Sequence, residues 1–315
     1  MLGLVSYLVF FAIVVLIFAI ATLGLNLQWG ATGLFNAGVV GFYAVGGYAL
    51  AILTGPNRPA LIGGFELPFA VGLLGAMAAS GIAALLIGLA TVRLREDYLA
   101  VATFGTAVTI QLVALNFEPL TGGNLGISAI PRPLGRAFDS PLAYNVFYLG
   151  LVVVAAGAVY VALERVVRSP WGRVLKAIRE DELAAVSHGK DARRFRLEAF
   201  VLGSVVIGLA GALYVGFVGY VSPFDFLPIV TFQVWTMLIV GGSGNNRGAI
   251  AGALLVWGLW TGSGALVAAH APSEWQTRGG ALQVILIGLV LVLILRLRPR
   301  GLIGEEPRVS RHLPA

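Results

Sequence analysis

No charged side chain occurs before Arg58. The hydrocarbon core of a bilayer is about 30 Å thick and is crossed by a helix of about 20 apolar residues, so this opening stretch alone holds two crossings. The charged residues of a soluble domain make up about a quarter of its chain. Here they make up 11 %, against 58 % hydrophobic residues. The chain is therefore expected to be an all-α polytopic membrane protein. Its 42 glycines suit close helix packing and interrupted helices, whose freed backbone groups are satisfied by neighbouring protein. The absence of cysteine excludes disulfides and thiolate metal sites.

Apolar runs predict nine spans, near 4–25, 34–53, 67–91, 98–117, 144–163, 197–217, 229–241, 247–268 and 280–297. Residues 1–25 lack a basic n-region and exceed the usual apolar length of a signal peptide, so they read as a retained first helix. The second run carries Gly30, Gly33, Gly38, Gly41, Gly46 and Gly47 and is expected to be broken. The seventh is too short to cross unaided and is expected to be re-entrant. Residues 1–300 read as one transmembrane domain with a charged loop at 164–196. The polar tail from Arg300 to Ala315 is expected to be disordered.

That loop is the one charged island in the chain. Between Glu164 and Arg196 lie nine Lys/Arg and five Asp/Glu residues. Ser169-Pro170 predicts a helix start, with Ser as N-cap and Pro at the first position, and Gly189 predicts its end. Val174, Leu175, Ile178, Ala185 and Val186 form a narrow apolar stripe on this charged helix. A short helix between two spans cannot bury such a stripe alone, so it is expected to dock onto a partner.

The same charges set a topology. If the island is cytoplasmic, alternating spans place seventeen Lys/Arg on its side and four on the other (Arg58, Arg132, Arg136 and Arg278), as the positive-inside rule requires. The C-terminus is then inside and, with nine crossings, the N-terminus outside. A tenth segment near residues 24–36 would reverse only the N-terminus. The net charge of +6 thus reflects membrane boundaries, and nucleic acid is not an expected partner.

An enzymatic reading lacks residues. His188, His270 and His312 lie far apart, and no intramembrane carboxylate pair is available for acid–base work. Glu118 sits at a helix end beside Pro119, where it meets water or an arginine; a proton-coupling role is the alternative. The glycine-rich Gly241–Gly248 run lacks the lysine of a phosphate loop and reads as a turn. Any ATP and magnesium are expected on another chain, and no cofactor on this one.

Polar residues within spans are costly and mark either interhelical hydrogen bonds or a pathway. They are Asn36, Thr103, Thr106, Thr109, Gln111, Asn116 and Gln233. The alternatives are helix–helix contacts or a lining for a small neutral solute, and both stay open. Trp29, Trp171, Trp257 and Trp260 are expected as interface anchors.

Ordered local signatures then carry a resemblance. They are Gly24-Leu25-Asn26-Leu27 with Gly46-Gly47-Tyr48-Ala49; Leu94-Arg95-Glu96-Asp97-Tyr98-Leu99-Ala100; Leu120 to Ile127; Gly172-Arg173 with Ala177 to Ala185 and Gly189; and Gly208 to Tyr214. Together they resemble the permease subunits of bacterial branched-chain amino acid ABC importers, the LivM-like group, whose relatives handle urea, amides or other neutral amino acids. The chain departs from that pattern at Asn36-Ala37-Gly38-Val39, where a Leu-Gly-His is common, and in lacking the proline of a Gly-Gly-Pro-Asn-Gly loop.

The resemblance implies a type II-like ABC permease fold of about 8–10 helices in the bacterial inner membrane. It also implies a second permease subunit, two cytoplasmic ATPases and a periplasmic solute-binding protein. Glu182, Ala184, Ala185 and Gly189 match the Glu-Ala-Ala…Gly pattern that docks on an ATPase, with Arg179, Glu180 and Asp181 flanking it. A secondary transporter or channel acting alone and a membrane-embedded enzyme are the competing classes. The first would show a coupling charge or clear inverted repeat, the second a catalytic cluster.

Overall fold

The computed structural model describes residues 2–59, 61–270 and 279–305. Seven helices in it are long and apolar enough to cross a membrane, and two more are apolar but short. The long ones are α1 (Leu2–Thr32), α3 (Phe69–Thr91), α4 (Glu96–Asn116), α6 (Pro141–Arg168), α9 (Ala192–Val218), α11 (Asn246–His270) and α12 (Gly279–Leu297). The short ones are α2 (Val39–Thr54) and α10 (Pro228–Gly241). A single turn, α5 (Glu118–Thr121), follows α4, and two small helices, α7 (Pro170–Glu180) and α8 (Glu182–Ser187), lie between α6 and α9. Each of the nine expected spans coincides with one of these helices. Among the described residues no strand forms; one isolated antiparallel bridge pairs Ile127 with Val221.

α1 is longer than its apolar run. Asn26 and Gln28 look like the polar end of a span, yet the helix continues through them because their amides are bonded inside the protein. Asn26 donates to Asn246 Oδ1 at 2.9 Å, and Gln28 donates to the Phe200 carbonyl at 2.8 Å and to Ser204 Oγ at 3.0 Å. No tenth helix occurs near residues 24–36; a non-helical link, residues 33–38, joins α1 to α2.

α1, α2 and α9 form the centre, and α9 also packs against α3, whose other side exposes Leu74, Ile82 and Leu86. The contacts are so close that backbone touches backbone. A Cβ on Gly46 would fall 2.0 Å from the Gly208 carbonyl oxygen, and one on Gly211 would fall 1.9 Å from that of Tyr43. In lipid no solvent drives helices together, so packing at this range and internal hydrogen bonds hold them. α4, α6, α11 and α12 are peripheral and present large apolar side chains outward, among them Val101, Val154, Leu254 and Leu289.

The link after α1, the α3–α4 turn, the α7–α8 pair, the α10–α11 turn and residues 298–305 gather at one end of the bundle. The loops at 55–68, 117–140 and 219–227 gather at the other, where Arg58 donates to the Ser128 carbonyl at 2.5 Å and Ile127 pairs with Val221. Arg278, Arg308, Arg311 and His312 lie outside the described residues. Residues 301–305, expected to be disordered with the rest of the tail, instead pack on the α10–α11 turn: Leu302 and Ile303 donate their amides to the Val240 and Gly241 carbonyls, each at 2.9 Å.

Candidate functional site: two interrupted crossings and a charged helix pair

The first interruption begins where Gly33, at φ +76°, turns the chain out of α1. A backbone break among spans leaves donors that only protein can satisfy. The Gly33, Leu34 and Asn36 amides find backbone carbonyls, and three more donors have side-chain acceptors. The Gly38 amide donates to Asn36 Oδ1 at 2.8 Å, the Ala37 amide to Thr103 Oγ1 at 3.0 Å, and the Val40 amide to Thr231 Oγ1 at 3.1 Å. Asn36 also donates to Gln28 Oε1 at 2.8 Å, and its carbonyl accepts from Trp235 Nε1 at 2.9 Å. Asn36 and Thr103 are thus occupied in holding the break. Around it Phe35 stacks on Trp235 at 4.3 Å, with Trp29 edge-on to both. Trp29 is part of this cluster rather than an isolated anchor. Trp257 likewise stacks on Phe18, at 4.8 Å.

The second interruption lies between α9 and α10. Gly219, at φ +76°, ends α9. A capping box between Ser222 and Asp225 then shapes a short 3-10 turn before α10 begins at Pro228. Gln111 on α4 donates to the Pro223 carbonyl at 3.3 Å. Both short helices therefore begin beside α4, where Val40, Phe104, Gln111, Phe226 and Thr231 border a narrow crevice. Ser222, Asp225 and Thr231 were not singled out from the sequence. The Ser-x-x-Asp spacing of a capping box was the available signal.

The polar residues of α4 do not share one face. Helical geometry turns each three-residue step by about 60° from the last. Thr103 is buried, Thr106 and Gln111 are half-buried, and Thr109 and Asn116 are exposed. Thr106, Thr109 and Asn116 bond back to their own helix, at Ala102, Gly105 and Leu112. Gln233 on α10 is buried.

The charged island forms two helices, where the sequence suggested one. Asp181 is extended (φ −152°), and its carboxylate accepts the Ala184 amide at 3.0 Å, which caps α8 and ends α7. The break rotates the stripe apart. Leu175, Ile178 and Ala185 are buried, and Ile178 and Ala185 pack with Ala192, Val174 and Phe195. Leu183 and Val186 face outward, 82 % and 49 % exposed. Ala185 is 7 % exposed, so a bulky residue there would disturb this small core before meeting any partner. Glu180, Asp181, Ala184 and Gly189 are exposed, and Glu182 pairs with Arg196 at 2.9 Å. An open cavity of about 570 Å³ lies against the pair, lined by Pro170, Val174, Ala177, Asp181, Ala184 and His188 among others. Arg179 turns inward and donates to the Gly30 carbonyl and, at 2.8 Å, to Glu305. Trp171 donates to Glu198 at 2.7 Å. Within the Gly241–Gly248 run, residues 242–245 form the turn between α10 and α11, with Gly242 and Gly244 at positive φ.

Residues 7–295 match the family described as the branched-chain amino acid transport system permease component. The chain belongs to this permease family. Relatives include the high-affinity branched-chain amino acid transport system permease protein LivM of Escherichia coli K12, 32 % identical over 93 % of this chain and 69 % of the relative. The probable branched-chain amino acid transport permease protein LivM of Methanocaldococcus jannaschii is 27 % identical over 93 % of this chain and 92 % of its own. LivH of Escherichia coli K12, a permease of the same system by name, is 22 % identical over 93 % of both chains. No solved structure matches the chain. This permease is accordingly a multi-pass membrane protein.

Proposed function

We propose that this permease is one subunit of an ATP-driven importer for branched-chain or other small neutral amino acids in a bacterial inner membrane. Its N-terminus faces outward, and the α7–α8 pair and C-terminus face the cytoplasm. A second permease subunit, two cytoplasmic ATPases and a periplasmic solute-binding protein complete the assembly. ATP and magnesium act on the ATPases, and this chain binds no cofactor.

The observation that carries the reading is the α8 surface. Leu183 and Val186 stand exposed on an otherwise charged helix pair, beside Glu180, Asp181, Ala184 and Gly189 and the open cavity. Exposed apolar residues ringed by charge are what a docking helix offers to a groove on another protein. The solute route follows the starts of α2 and α10. There Gln111 and Gln233 supply uncharged amides and Thr106 a hydroxyl, while Asn36 and Thr103 hold the wall and Asn116 lies toward the outer face. Uncharged dipoles suit a zwitterion of zero net charge better than an ion.

The test replaces Leu183 with Asp and Ala184 with Trp together, in cells carrying the complete transporter. Uptake of radiolabelled leucine should be lost and the ATPases should no longer co-purify, with membrane insertion intact. Undiminished uptake would refute docking at α8. Ion-gradient-driven uptake by the purified chain alone would replace the ATP-driven reading with that of a secondary transporter.

A further inference from the structure

The last described residues form a strap. From α12 the chain turns at Gly301, at φ +74°, and runs under the α10–α11 turn. Leu302 and Ile303 bond to the last carbonyls of α10, and the Gly304 carbonyl accepts from Asn245 Nδ2 at 3.1 Å. The approach requires glycine in the turn, since a Cβ on Gly242 would fall 2.5 Å from the Ile303 carbonyl oxygen, and Gly244, at φ +83°, would bring one 2.7 Å from Glu305 Oε2. The strap ends with the Glu305 carboxylate bound to both Lys176 and Arg179 of α7.

Arg179 extends the connection. Its other guanidinium nitrogen bonds the Gly30 carbonyl near the end of α1, and a Cβ on Gly33 would fall 3.2 Å from its Cγ. Asn26, one turn earlier on α1, closes the circuit by accepting the Gly244 amide at 2.8 Å and donating to Asn246. A single carboxylate thus joins α7 to the α10–α11 turn, and a single arginine joins α7 to α1. The two helices so joined are those that meet at the first interruption, through Asn36 and Trp235. Leu175 and Ile178 seat α7 on the bundle, and the ion pairs of Glu305 add the tie to residues 298–305 beside that apolar seat.

We propose that Glu305 is a positioning residue for transport, holding α7 so that its motion reaches α1 and α10 together. This rests on the importer reading above, in which α7–α8 receives motion from an ATPase. Glu305 touches no substrate and no nucleotide. Without it Arg179 keeps its bond to Gly30, but α7 loses its tie to α10.

The test uses the complete transporter in proteoliposomes. Glu305→Gln keeps shape and removes charge, Glu305→Asp keeps charge with shorter reach, and Asp139→Asn at the opposite end is the control. ATP hydrolysis should stay within about twofold while leucine imported per ATP falls about tenfold for Glu305→Gln, inside the 5–150-fold range of typical coupling energies. Glu305→Asp should recover part of the loss. A merely structural role would lower both quantities together.

Because the chain has no cysteine, a Lys176→Cys/Glu305→Cys pair can be tethered with a cleavable bis-maleimide. Tethering should restore import per ATP, and cleaving the linker should remove it again. An unchanged ratio in Glu305→Gln, failure of the pair to cross-link, or a tether that restores nothing would each overturn the proposal. If the unaltered transporter imports nothing in response to ATP, the importer reading fails instead, whatever the cross-link yields.

Discussion

Replacing Gly46 with Ala tests whether backbone contact between α2 and α9 holds the centre of the bundle. The added Cβ would sit 2.0 Å from the Gly208 oxygen, 2.5 Å from its carbonyl carbon and 2.6 Å from its Cα. Carbon–oxygen contacts across helices settle near 3.3 Å, so the helices must part by about 1.3 Å. A gap of 0.5–1 Å already forfeits roughly a quarter to a half of each contact along a seam. Overpacking costs about 1–3 kcal/mol, and since no flexible side chain can yield here, about 3 applies. Alanine returns about 1 kcal/mol of helix propensity, leaving a net loss of about 2. Gly157→Ala on α6 is the matched control, because nothing lies within 4 Å of its added Cβ. Thermal inactivation in mild detergent, read by fluorescence-detected size exclusion, should show Gly46→Ala melting well below the parent and Gly157→Ala at or above it. Equal behaviour of the two would refute the reasoning.

Two further outcomes follow from the charged end. Asp181→Ala removes the acceptor of the Ala184 amide and should cost about 1 kcal/mol of cap stability; hydrogen exchange should quicken across α8 and stay unchanged in α7. The Glu305 carboxyl is disfavoured as an anion by burial, but Lys176 and Arg179 outweigh this and hold it below the ordinary glutamate value. Its contribution is therefore complete above the unfolded value and lost as pH falls through the folded one. After correction for intrinsic rates, hydrogen exchange at residues 298–305 should be flat from about pH 6 to 8 and rise below roughly pH 4. A rise centred near neutrality would assign the strap's hold to another group.

The membrane architecture was legible because its cause is local: a run without charges, long enough to cross, must be a crossing. The break expected in the second run falls at its start, residues 33–38, while α2 continues through Gly41, Gly46 and Gly47, and α10 is as short as its apolar run. What long-range partners decide was not legible. α1 continues past Asn26 because Asn246 lies 220 residues away and supplies the missing bond. The island broke at Asp181 because a capping carboxylate outcompeted a weak apolar stripe, which exposed Leu183 and buried Ala185. The tail looked disordered by composition, yet Glu305 finds two cations on α7 that no local pattern announces. Thr103 and Thr109 are alike in type, and the drift of a three-residue spacing around a helix is what divides them: Thr103 is buried and Thr109 exposed.

The interruptions are also where the bundle is held most cheaply. A continuous helix loses a backbone bond at each residue it unwinds, whereas the Ala37, Gly38 and Val40 amides are held by two side-chain hydroxyls and one amide oxygen, worth about 0.6–1.7 kcal/mol each in a membrane. Thr103 and Thr231 come from different helices, yet they accept from Ala37 and Val40 at the two sides of one link. Valine matches threonine in shape without accepting. Thr103→Val and Thr231→Val should each cost about 1 kcal/mol, and the double variant should depart from their sum by more than the 0.5 kcal/mol expected of independent sites. Once either amide loses its acceptor, the link can shift, and the second bond is already weakened when it is removed. Equilibrium unfolding in mixed micelles measures all three. Strict additivity would mean that the link is fixed by its flanking helices, and that these two hydroxyls only decorate it.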